Sequence, residues 1–205
     1  MQQPEDQTTQ KEEQAASPDF ALTFGPLEAE LVSQSYATSR AVLEYGSGGS
    51  TVMAAKLGKP VVTVESDKAW ADRMRETLAD HANVAVHYVD IGPTKAWGYP
   101  DGVEAAGRYH NYPLSVWDRP DIAAPDVVLI DGRFRAACFA ATQMRTTLPV
   151  TVLFDDYQKR PYYHRVERLA KLERMVGRMG VFTIIPGPIP HDMLTEVIGW
   201  FADPR

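Results

Sequence analysis

The chain has 205 residues, of which 44% are hydrophobic, with a formal net charge of −6 and an isoelectric point near 5.4. This length and apolar content predict one globular domain with a full core. The negative charge excludes a general nucleic-acid-binding protein, because counterion release requires a basic face. The single cysteine, Cys138, cannot form an internal disulfide and is predicted to be a small core residue. With no signal peptide or long apolar segment, we expect a cytoplasmic protein that does not bind membranes.

The first nineteen residues are rich in Gln, Glu, Thr and Lys and carry hardly any apolar side chains. Such a segment cannot bury enough surface to offset the entropy of ordering. Residues 1–19 are therefore predicted to be a disordered tail, and residues 20–205 to form the domain. After Pro26, apolar side chains recur at helical spacing and predict an amphipathic helix; they are Leu27, Leu31, Val32 and Tyr36.

Beyond this helix, predicted strands and helices alternate as a parallel sheet requires. The predicted strands are 42–46, 60–65, 84–90, 126–131 and 150–155, and the predicted helices are 50–58, 67–80, about 133–147 and about 160–176. Two further strands are predicted at 181–185 and 194–200, joined by a turn rich in Pro and Gly. The expected fold class is α/β, a doubly wound, mostly parallel seven-stranded sheet with an antiparallel C-terminal hairpin.

The first predicted strand breaks into a glycine-rich turn that opens a helix. Gly46, Gly48 and Gly49 allow positive φ and a close approach of the backbone to a ligand, while free N–H groups of the helix point at it. The third position of a dinucleotide-binding motif falls on Thr51, which disfavours NAD. Glu44 would repel a pyrophosphate but can accept a hydrogen bond from an ammonium group. The pattern favours a small cofactor with a cationic amino-acid moiety.

The residues Glu44-Tyr45-Gly46-Ser47-Gly48 resemble the first motif, acidic-x-Gly-x-Gly, of the class I S-adenosylmethionine-dependent methyltransferases. A β-branched run at 60–65 ends in Glu65, 21 residues after Glu44. The resemblance implies a Rossmann-like fold that binds S-adenosylmethionine, with Glu65 on the ribose hydroxyls. The remaining cofactor residues that it implies are Gly49, Ser50, Thr51, Ser66 and, near the adenine, Asp90. The alternative is that both glutamates are helix caps or solvated strand ends.

A second acidic set lies at the ends of the fourth and fifth predicted strands: Asp131 ends 126–131, and Asp155, followed by Asp156, ends 150–155. Because the carboxyl ends of parallel strands meet at one edge, three carboxylates there repel one another unless they share a cation such as Mg²⁺. The arrangement resembles the metal-dependent O-methyltransferases of the catechol and macrolide-sugar types. That resemblance implies that all three are metal ligands. Helix N-capping by Asp131 and Asp156 is the alternative.

The implied chemistry moves a methyl group from the sulfonium centre to a hydroxyl oxygen of a small molecule or saccharide. Catechol-type relatives carry a lysine base three residues after the first aspartate, whereas this chain has Phe134 there, between Arg133 and Arg135. Arginine stays protonated and is a poor base. These two arginines are predicted to act in catalysis by holding an anionic acceptor. By resemblance to the sugar-modifying relatives, His164 is the candidate base, with a structural histidine as the alternative.

A long segment at 91–125 is predicted to be an insertion that forms a lid or binding loop. Its aromatic residues could stack on an acceptor ring or simply pack the loop down; the rings and the neighbouring histidine are Trp97, Tyr99, Tyr109, His110, Tyr112 and Trp117. Two other functions remain open, a non-catalytic S-adenosylmethionine-binding module and a metal-dependent nucleotide-sugar transferase. The sequence also leaves open a homo-oligomer.

Overall fold

The computed structural model describes residues 20–205, and the predicted tail at 1–19 lies outside them. A seven-stranded sheet and a separate two-stranded pair, β4 with β5, organise the described chain. The strands in chain order are β1 (Val42–Tyr45), β2 (Val61–Glu65), β3 (Val84–Tyr88), β4 (Thr94–Lys95), β5 (Tyr99–Pro100), β6 (Val127–Ile130), β7 (Val150–Phe154), β8 (Leu172–Val176) and β9 (Met179–Ile184).

The strand order in the large sheet is β3-β2-β1-β6-β7-β9-β8. Every neighbouring pair is parallel except the two pairs that include β9. This confirms the predicted doubly wound, mostly parallel sheet with an antiparallel C-terminal hairpin. The chain moves outward from β1 in both directions, so the order reverses between β1 and β6. In doubly wound sheets a ligand crevice opens at such a reversal.

Helices cover both faces of the sheet. They are α1 (Pro26–Thr38), α2 (Gly49–Lys56), α3 (Lys68–Thr77), α4 (Asn111–Leu114), α5 (Arg135–Arg145) and α6 (Leu194–Trp200). Pro26 starts α1, where a missing N–H is tolerated because the first helical N–H groups have no partner within the helix. The Asp67 side chain caps α3 by accepting a hydrogen bond from the backbone N–H of Trp70.

The two faces of β1 contribute to two different cores, because side chains alternate across a strand. Leu43 and Tyr45 join the larger core, which includes the inner faces of α5 and α6. Val42 joins a smaller core, which includes α1 and α2. All four residues of β1 and of β6 are buried, which explains why β6 reads as a continuous apolar run and β1 is apolar except at Glu44. Cys138 on α5 is fully buried in the larger core, as predicted.

The prediction of a helix at about 160–176 is wrong in its second half. A 3₁₀ helix covers Pro161–Arg168, and the chain then forms β8. β8 pairs antiparallel with β9 across a tight turn in which Gly177 has φ +54°. The structure of this short segment is determined by its pairing with β9 and not by its own hydrophobic periodicity.

The predicted strand at 194–200 is also wrong, because this segment forms α6. Val197 and Trp200 lie three residues apart and are both buried, whereas Leu194 and Ile198 are exposed. One face of the helix therefore contacts the core. A strand would instead bury every second residue, which does not match this spacing. The C-terminal hairpin consists of β8 and β9 instead.

The insertion at 91–125 contains β4, β5, α4 and several short 3₁₀ helices. Its rings partly pack the segment against the core: Tyr112 is buried beside Phe134, with ring centroids 5.6 Å apart. The indole N–H of Trp117 donates to the Tyr45 hydroxyl at 2.7 Å. The alternative of a packed-down segment therefore holds for these residues.

Among residues 20–205, none of the helices has the length and apolar character needed to cross a bilayer.

Candidate functional site

A cleft of about 780 Å³ opens at the carboxyl ends of the central strands, beside the reversal of strand order. Its walls come from the glycine loop that follows β1, from the ends of β2, β6 and β7, from insertion residues 97–99, and from residues 20–24. We call residues 20–24 the strap, because they precede α1 and cross the glycine loop, where Leu22 lies against Gly49. This cleft is the candidate site.

The glycine loop has room only for glycine at two positions. Gly46 has φ +101°, and a Cβ there would lie 2.8 Å from the backbone nitrogen of Gly132. A Cβ on Gly49 would lie 2.6 Å from the backbone nitrogen of Leu22 in the strap. A Cβ on Gly48 would meet nothing within 4 Å, so the loop leaves open space at this point. Two predicted loop serines, Ser47 and Ser50, also line the cleft.

Glu44 lies behind the glycine loop and not in the wall of the cleft. Its side chain is fully buried, and its two oxygens accept hydrogen bonds from the Tyr36 hydroxyl at 2.6 Å and the Thr51 hydroxyl at 2.5 Å. Burial raises the pKa of this carboxyl. Thr51 in turn accepts from the backbone N–H of Gly48 at 3.1 Å. Glu44 therefore positions the loop, and the predicted direct contact with an ammonium group is not supported by this geometry.

Glu65 ends β2 and lines the cleft. One carboxylate oxygen accepts from the Ser47 hydroxyl at 2.9 Å, and the other accepts from the backbone N–H groups of Ser66 and Asp67 at 2.7 and 2.9 Å. Burial raises the pKa of the Glu65 carboxyl. The structure thus brings Glu65, Ser66 and the glycine loop together around one cavity.

Asp90 lies outside this cleft. It lines a shallower depression of about 520 Å³ and forms an ion pair with Arg108. Ser66 lines both cavities, so the depression adjoins the cleft at the end of β2. The predicted place of Asp90 beside an adenine stays a prediction.

The structure brings the predicted acidic trio together in the wall of the same cleft. One oxygen of each of Asp131, Asp155 and Asp156 lies within 4.8 Å of the others. Asp155 is fully buried, and the other two are partly exposed. Burial raises the pKa of the Asp131 carboxyl to about 7, opposed by the nearby Arg135 and aided by the negative charge of Asp155.

Arginines compensate the acidic trio. Both oxygens of Asp155 accept from Arg178, at 2.8 and 2.6 Å. Burial works to raise the pKa of Asp155, but these hydrogen bonds hold it below its usual value. Asp156 pairs with Arg160 at 2.8 Å. Asp155 and Asp156 are therefore already paired with guanidinium groups, and the metal site that the sequence predicted stays a prediction.

Arg135 is buried and fully engaged within the protein. Its guanidinium donates to the carbonyl oxygens of Gly132, Asp155 and Asp131 at 2.8–3.0 Å, and it forms an ion pair with the Asp131 carboxylate at 3.1 Å. It joins the ends of β6 and β7. The predicted role of Arg135 in holding an acceptor is therefore not supported, because its N–H groups already have partners.

Arg133 is different, because its guanidinium lines the cleft and forms no ion pair with any residue of the described chain. The side chain is only 6% exposed, and within residues 20–205 neither Nε nor Nη1 has a hydrogen-bond partner. The guanidinium carbon lies 4.0 Å from the centre of the Tyr99 ring. Of the two predicted arginines, Arg133 is therefore the one that remains available to a ligand.

The structure does not bring His164 to the cleft. His164 lies on the exposed side of the 3₁₀ helix at Pro161–Arg168, and its Nε2 is 3.2 Å from the Tyr157 carbonyl oxygen. The ring also packs on Tyr157, with centroids 4.6 Å apart. His164 therefore fits the alternative of a structural histidine, and its predicted role as a base is not supported.

Two aromatic residues of the insertion reach the cleft, Trp97 and Tyr99. Trp97 has φ +65°, which is uncommon for a bulky residue, and its side chain is 84% exposed at the rim. Part of the insertion therefore packs on the core, and part of it places two rings in the wall of the cleft, where stacking on an acceptor stays a prediction.

Sequence reasoning missed the strap, Trp70 and Arg178. Phe20 of the strap packs edge-on against Trp70 with ring centroids 4.7 Å apart, and the Trp70 indole donates to the Ser47 carbonyl oxygen at 2.9 Å. Arg178 enters the site from the β8–β9 turn. The apolar character of Phe20 and Phe24 beside a polar tail was the one available signal, and no local signal marks Arg178.

Known structures resemble this chain across nearly all of its length. A methyltransferase-like protein from Silicibacter pomeroyi is 45% identical, with a TM-score of 0.85, and the match covers 90% of this chain and 98% of that one. The chain belongs to the same family as this methyltransferase-like protein. Two more distant methyltransferases share the fold. One, from Geobacter sulfurreducens, is 13% identical with a TM-score of 0.50, covering 88% of this chain and 91% of that one.

The other, a SAM-dependent O-methyltransferase from Thermotoga maritima, is 10% identical with a TM-score of 0.51, covering 82% of this chain and 68% of that one. No protein-family model and no curated protein matches the sequence. Membership in this methyltransferase-like family accounts for the glycine loop and for the position of the cleft above the sheet.

Proposed function

We propose that this methyltransferase transfers a methyl group to a hydroxyl oxygen of a small molecule or saccharide within the cleft. The observation that carries the proposal is the make-up of one cavity. Glu65 and the glycine loop line the part that we call the cofactor end, and Asp131 and Arg133 line the same cavity beside them, with Gly46 packed against Gly132. A donor and an acceptor held in such a cavity react as an intramolecular pair, which removes most of the entropic barrier.

The cofactor end of the cleft fits S-adenosylmethionine. Gly46 and Gly49 keep the loop free of side chains, and Gly48 faces open space. Glu65 offers carboxylate oxygens to the ribose hydroxyls, and Ser47 and Ser50 add hydroxyl groups to the wall. When bound, this cofactor supplies an electrophilic methyl group on a positively charged sulfur.

Asp131 is the residue best placed to take the acceptor's proton. Its side chain is 28% exposed, and it lines the cleft. With S-adenosylmethionine bound, methyl transfer would form the bond to the acceptor oxygen while the electrons of the broken carbon–sulfur bond stay on sulfur. The Asp131 carboxylate would take the hydroxyl proton. Arg135 holds that carboxylate in place.

Mg²⁺ does not fit the acidic trio in this arrangement. Both oxygens of the buried Asp155 already accept from Arg178, and Arg135 and Arg160 hold the other two carboxylates. A divalent ion would have to displace or approach three guanidinium cations, which repel it. We therefore route no step through a metal, and the metal dependence predicted from the sequence is tested directly below.

Calorimetry with S-adenosylhomocysteine tests cofactor binding. Glu65→Ala is expected to weaken binding at least about tenfold, or roughly 1.4 kcal/mol. Glu76→Ala, an exposed change in the neighbouring α3, is the matched control and should bind as the unmodified protein does. If the unmodified protein does not bind S-adenosylhomocysteine, the proposal is wrong at its first step.

Release of S-adenosylhomocysteine with a panel of hydroxylated acceptors tests the transfer. Asp131→Asn is expected to keep cofactor affinity within about twofold and to lose about 10²–10⁴-fold in kcat, the usual contribution of a general base. Turnover should be equal with Mg²⁺ and with EDTA. A strict requirement for Mg²⁺ would contradict the metal-free route. Cofactor binding without turnover of any acceptor would favour the non-catalytic module, for which the neutralised acidic trio is the supporting observation.

A further inference from the structure

Arg133 is an electrostatic exception within the cleft. The other arginines that line it, Arg135, Arg160 and Arg178, each form an ion pair with an aspartate. Arg133 forms no such pair, since within residues 20–205 no carboxylate oxygen lies within 4.0 Å of its nitrogens. Its Nε and Nη1 are buried and have no hydrogen-bond partner in this part of the chain. One guanidinium in the site is thus desolvated and left without a counter-charge.

A buried charge without a partner is unfavourable, because the lost hydration is not replaced. The Tyr99 ring lies 4.0 Å from the guanidinium carbon and replaces part of the lost hydration energy through a cation–π contact. Ring electrons do not satisfy the N–H groups, which still need oxygen acceptors. An oxyanion in the cleft would supply both the acceptors and the missing negative charge.

We propose that Arg133, stacked on Tyr99, binds the carboxylate of a ligand in the cleft. A planar carboxylate matches the fork of a guanidinium through two parallel hydrogen bonds. This inference rests on the proposed function for the nature of the ligand, and two sources offer the same group. One is the amino-acid carboxylate of the cofactor, and the other is a carboxylate on the methyl acceptor.

The matched pair of variants is Arg133→Met and Arg174→Met. Methionine keeps the unbranched apolar stem of arginine and removes the charge. In the unliganded protein, Arg133→Met should raise Tm by about 2–4 °C, because an uncompensated buried charge is removed. Arg174 lies exposed on β8, so Arg174→Met should leave Tm and ligand binding unchanged. Replacement of a residue that only stabilises the fold would lower Tm instead.

Three probes separate the two sources of the carboxylate. S-Adenosylhomocysteine carries the amino-acid carboxylate, 5′-methylthioadenosine lacks it, and benzoate stands in for an acidic acceptor. If the cofactor supplies the group, Arg133→Met weakens S-adenosylhomocysteine binding at least tenfold and leaves 5′-methylthioadenosine binding unchanged. If the acceptor supplies it, Arg133→Met leaves both nucleoside affinities unchanged and abolishes benzoate binding to the cofactor-loaded protein. Either result supports the proposal.

The proposal is overturned if Arg133→Met leaves all three affinities unchanged, or if this variant lowers Tm or fails to fold while Arg174→Met behaves normally. Its failure is distinguishable from failure of the proposed function. Should the unmodified protein bind benzoate through Arg133 but not S-adenosylhomocysteine, the methyltransferase proposal is wrong and the carboxylate site stands.

Discussion

Glu44 illustrates how a residue can belong to a binding motif without touching the ligand. Its carboxylate is fully buried, but both oxygens accept hydrogen bonds from hydroxyl groups, one on α1 and one on α2. The α2 hydroxyl, on Thr51, also accepts from the Gly48 N–H. The motif glutamate thereby fixes the position of the glycine loop through Thr51. An acid at this position is a positioning residue, and its effect on the ligand is indirect.

Thr51→Val tests that connection with an almost isosteric change. The substitution leaves one Glu44 oxygen and the Gly48 N–H without partners in a buried environment, which costs about 1–3 kcal/mol in unfolding free energy. We also expect S-adenosylhomocysteine to bind at least several-fold more weakly, because the loop loses its anchor. Urea unfolding and calorimetry measure the two effects.

Thr142→Val is the control for the loss of a buried threonine hydroxyl. Thr142 is equally buried, but its hydroxyl donates only to the Cys138 carbonyl oxygen within α5. This variant should keep cofactor affinity and lose little stability. Equal effects of both substitutions would mean that Thr51 contributes nothing specific to the loop.

The elements that sequence patterns predicted correctly are those whose surroundings are the same along their whole length. The central strands β1 and β6 are buried on both faces, and β6 therefore reads as a continuous apolar run, as β1 does apart from Glu44. β8 and α6 are different, because each is short and only partly buried. Their structure depends on a partner, the β9 strand for one and the larger core for the other. A local pattern does not contain that information.

The same division applies to the site. Glu65, Asp131 and Asp155 follow predicted strands directly, so their convergence on one sheet edge could be predicted. Arg178 could not, because it reaches Asp155 through the pairing of β7 with β9. The charge balance of the acidic trio therefore depended on tertiary contacts. The metal that the sequence predicted stays a prediction, and the structure adds guanidinium partners that the sequence could not reveal.

The insertion docks on β3 through a histidine that is sensitive to pH. His87 Nε2 lies 2.9 Å from the Ser115 hydroxyl, and Nδ1 lies 3.5 Å from an Arg119 nitrogen. Burial lowers the pKa of His87, and the positive charges of Arg119 and Arg75 lower it further, opposed by Asp121. The folded state thus binds this proton less readily than the unfolded state does. The contribution of this contact to stability is complete above the pKa of His87 in the unfolded chain, about 6.5. It is lost as pH falls through the pKa of His87 in the folded protein.

Hydrogen exchange of the insertion amides, corrected for intrinsic rates, measures this effect. Between pH 7.5 and pH 5 we expect protection of residues 106–119 to decrease. His87→Gln keeps a group that can bond to Ser115 but removes the titration, so its protection should change much less across this range. His191→Gln, an exposed change, should behave like the unmodified protein. A decrease in protection that persists in His87→Gln would assign the pH effect to another group.

At the scale of the whole molecule, the cleft is assembled from segments that are far apart in the chain. The strap at 20–24, the insertion at 97–99 and the β8–β9 turn all meet the ends of the central strands. A ligand in the cleft contacts several of these at once and stabilises them together, in proportion to the logarithm of its concentration over Kd. A change that separates one segment should therefore reduce both stability and ligand affinity.

The substitution Gly49→Ala is expected to separate the strap from the glycine loop. The added Cβ would lie 2.6 and 2.7 Å from the backbone nitrogen and Cα of Leu22, and backbone atoms cannot move aside as a flexible side chain can. The strap must shift, which also disturbs the packing of Phe20 on Trp70. We expect a loss of about 1–3 kcal/mol in unfolding free energy, the usual cost of overpacking. Amides at 20–24 should exchange faster, and S-adenosylhomocysteine should bind more weakly.

Gly48→Ala is the comparison that isolates the strap, since it adds the same methyl group one residue earlier. Gly48 has an extended φ of 179°, and its Cβ would meet nothing within 4 Å. Stability of the unliganded protein and exchange at 20–24 should therefore stay unchanged, within about 0.5 kcal/mol. If Gly49→Ala matches Gly48→Ala in stability and in exchange at the strap, the strap does not close on the loop in solution. In that case the cleft is open on this side, and its affinity for the cofactor must come from β2 and the glycine loop alone.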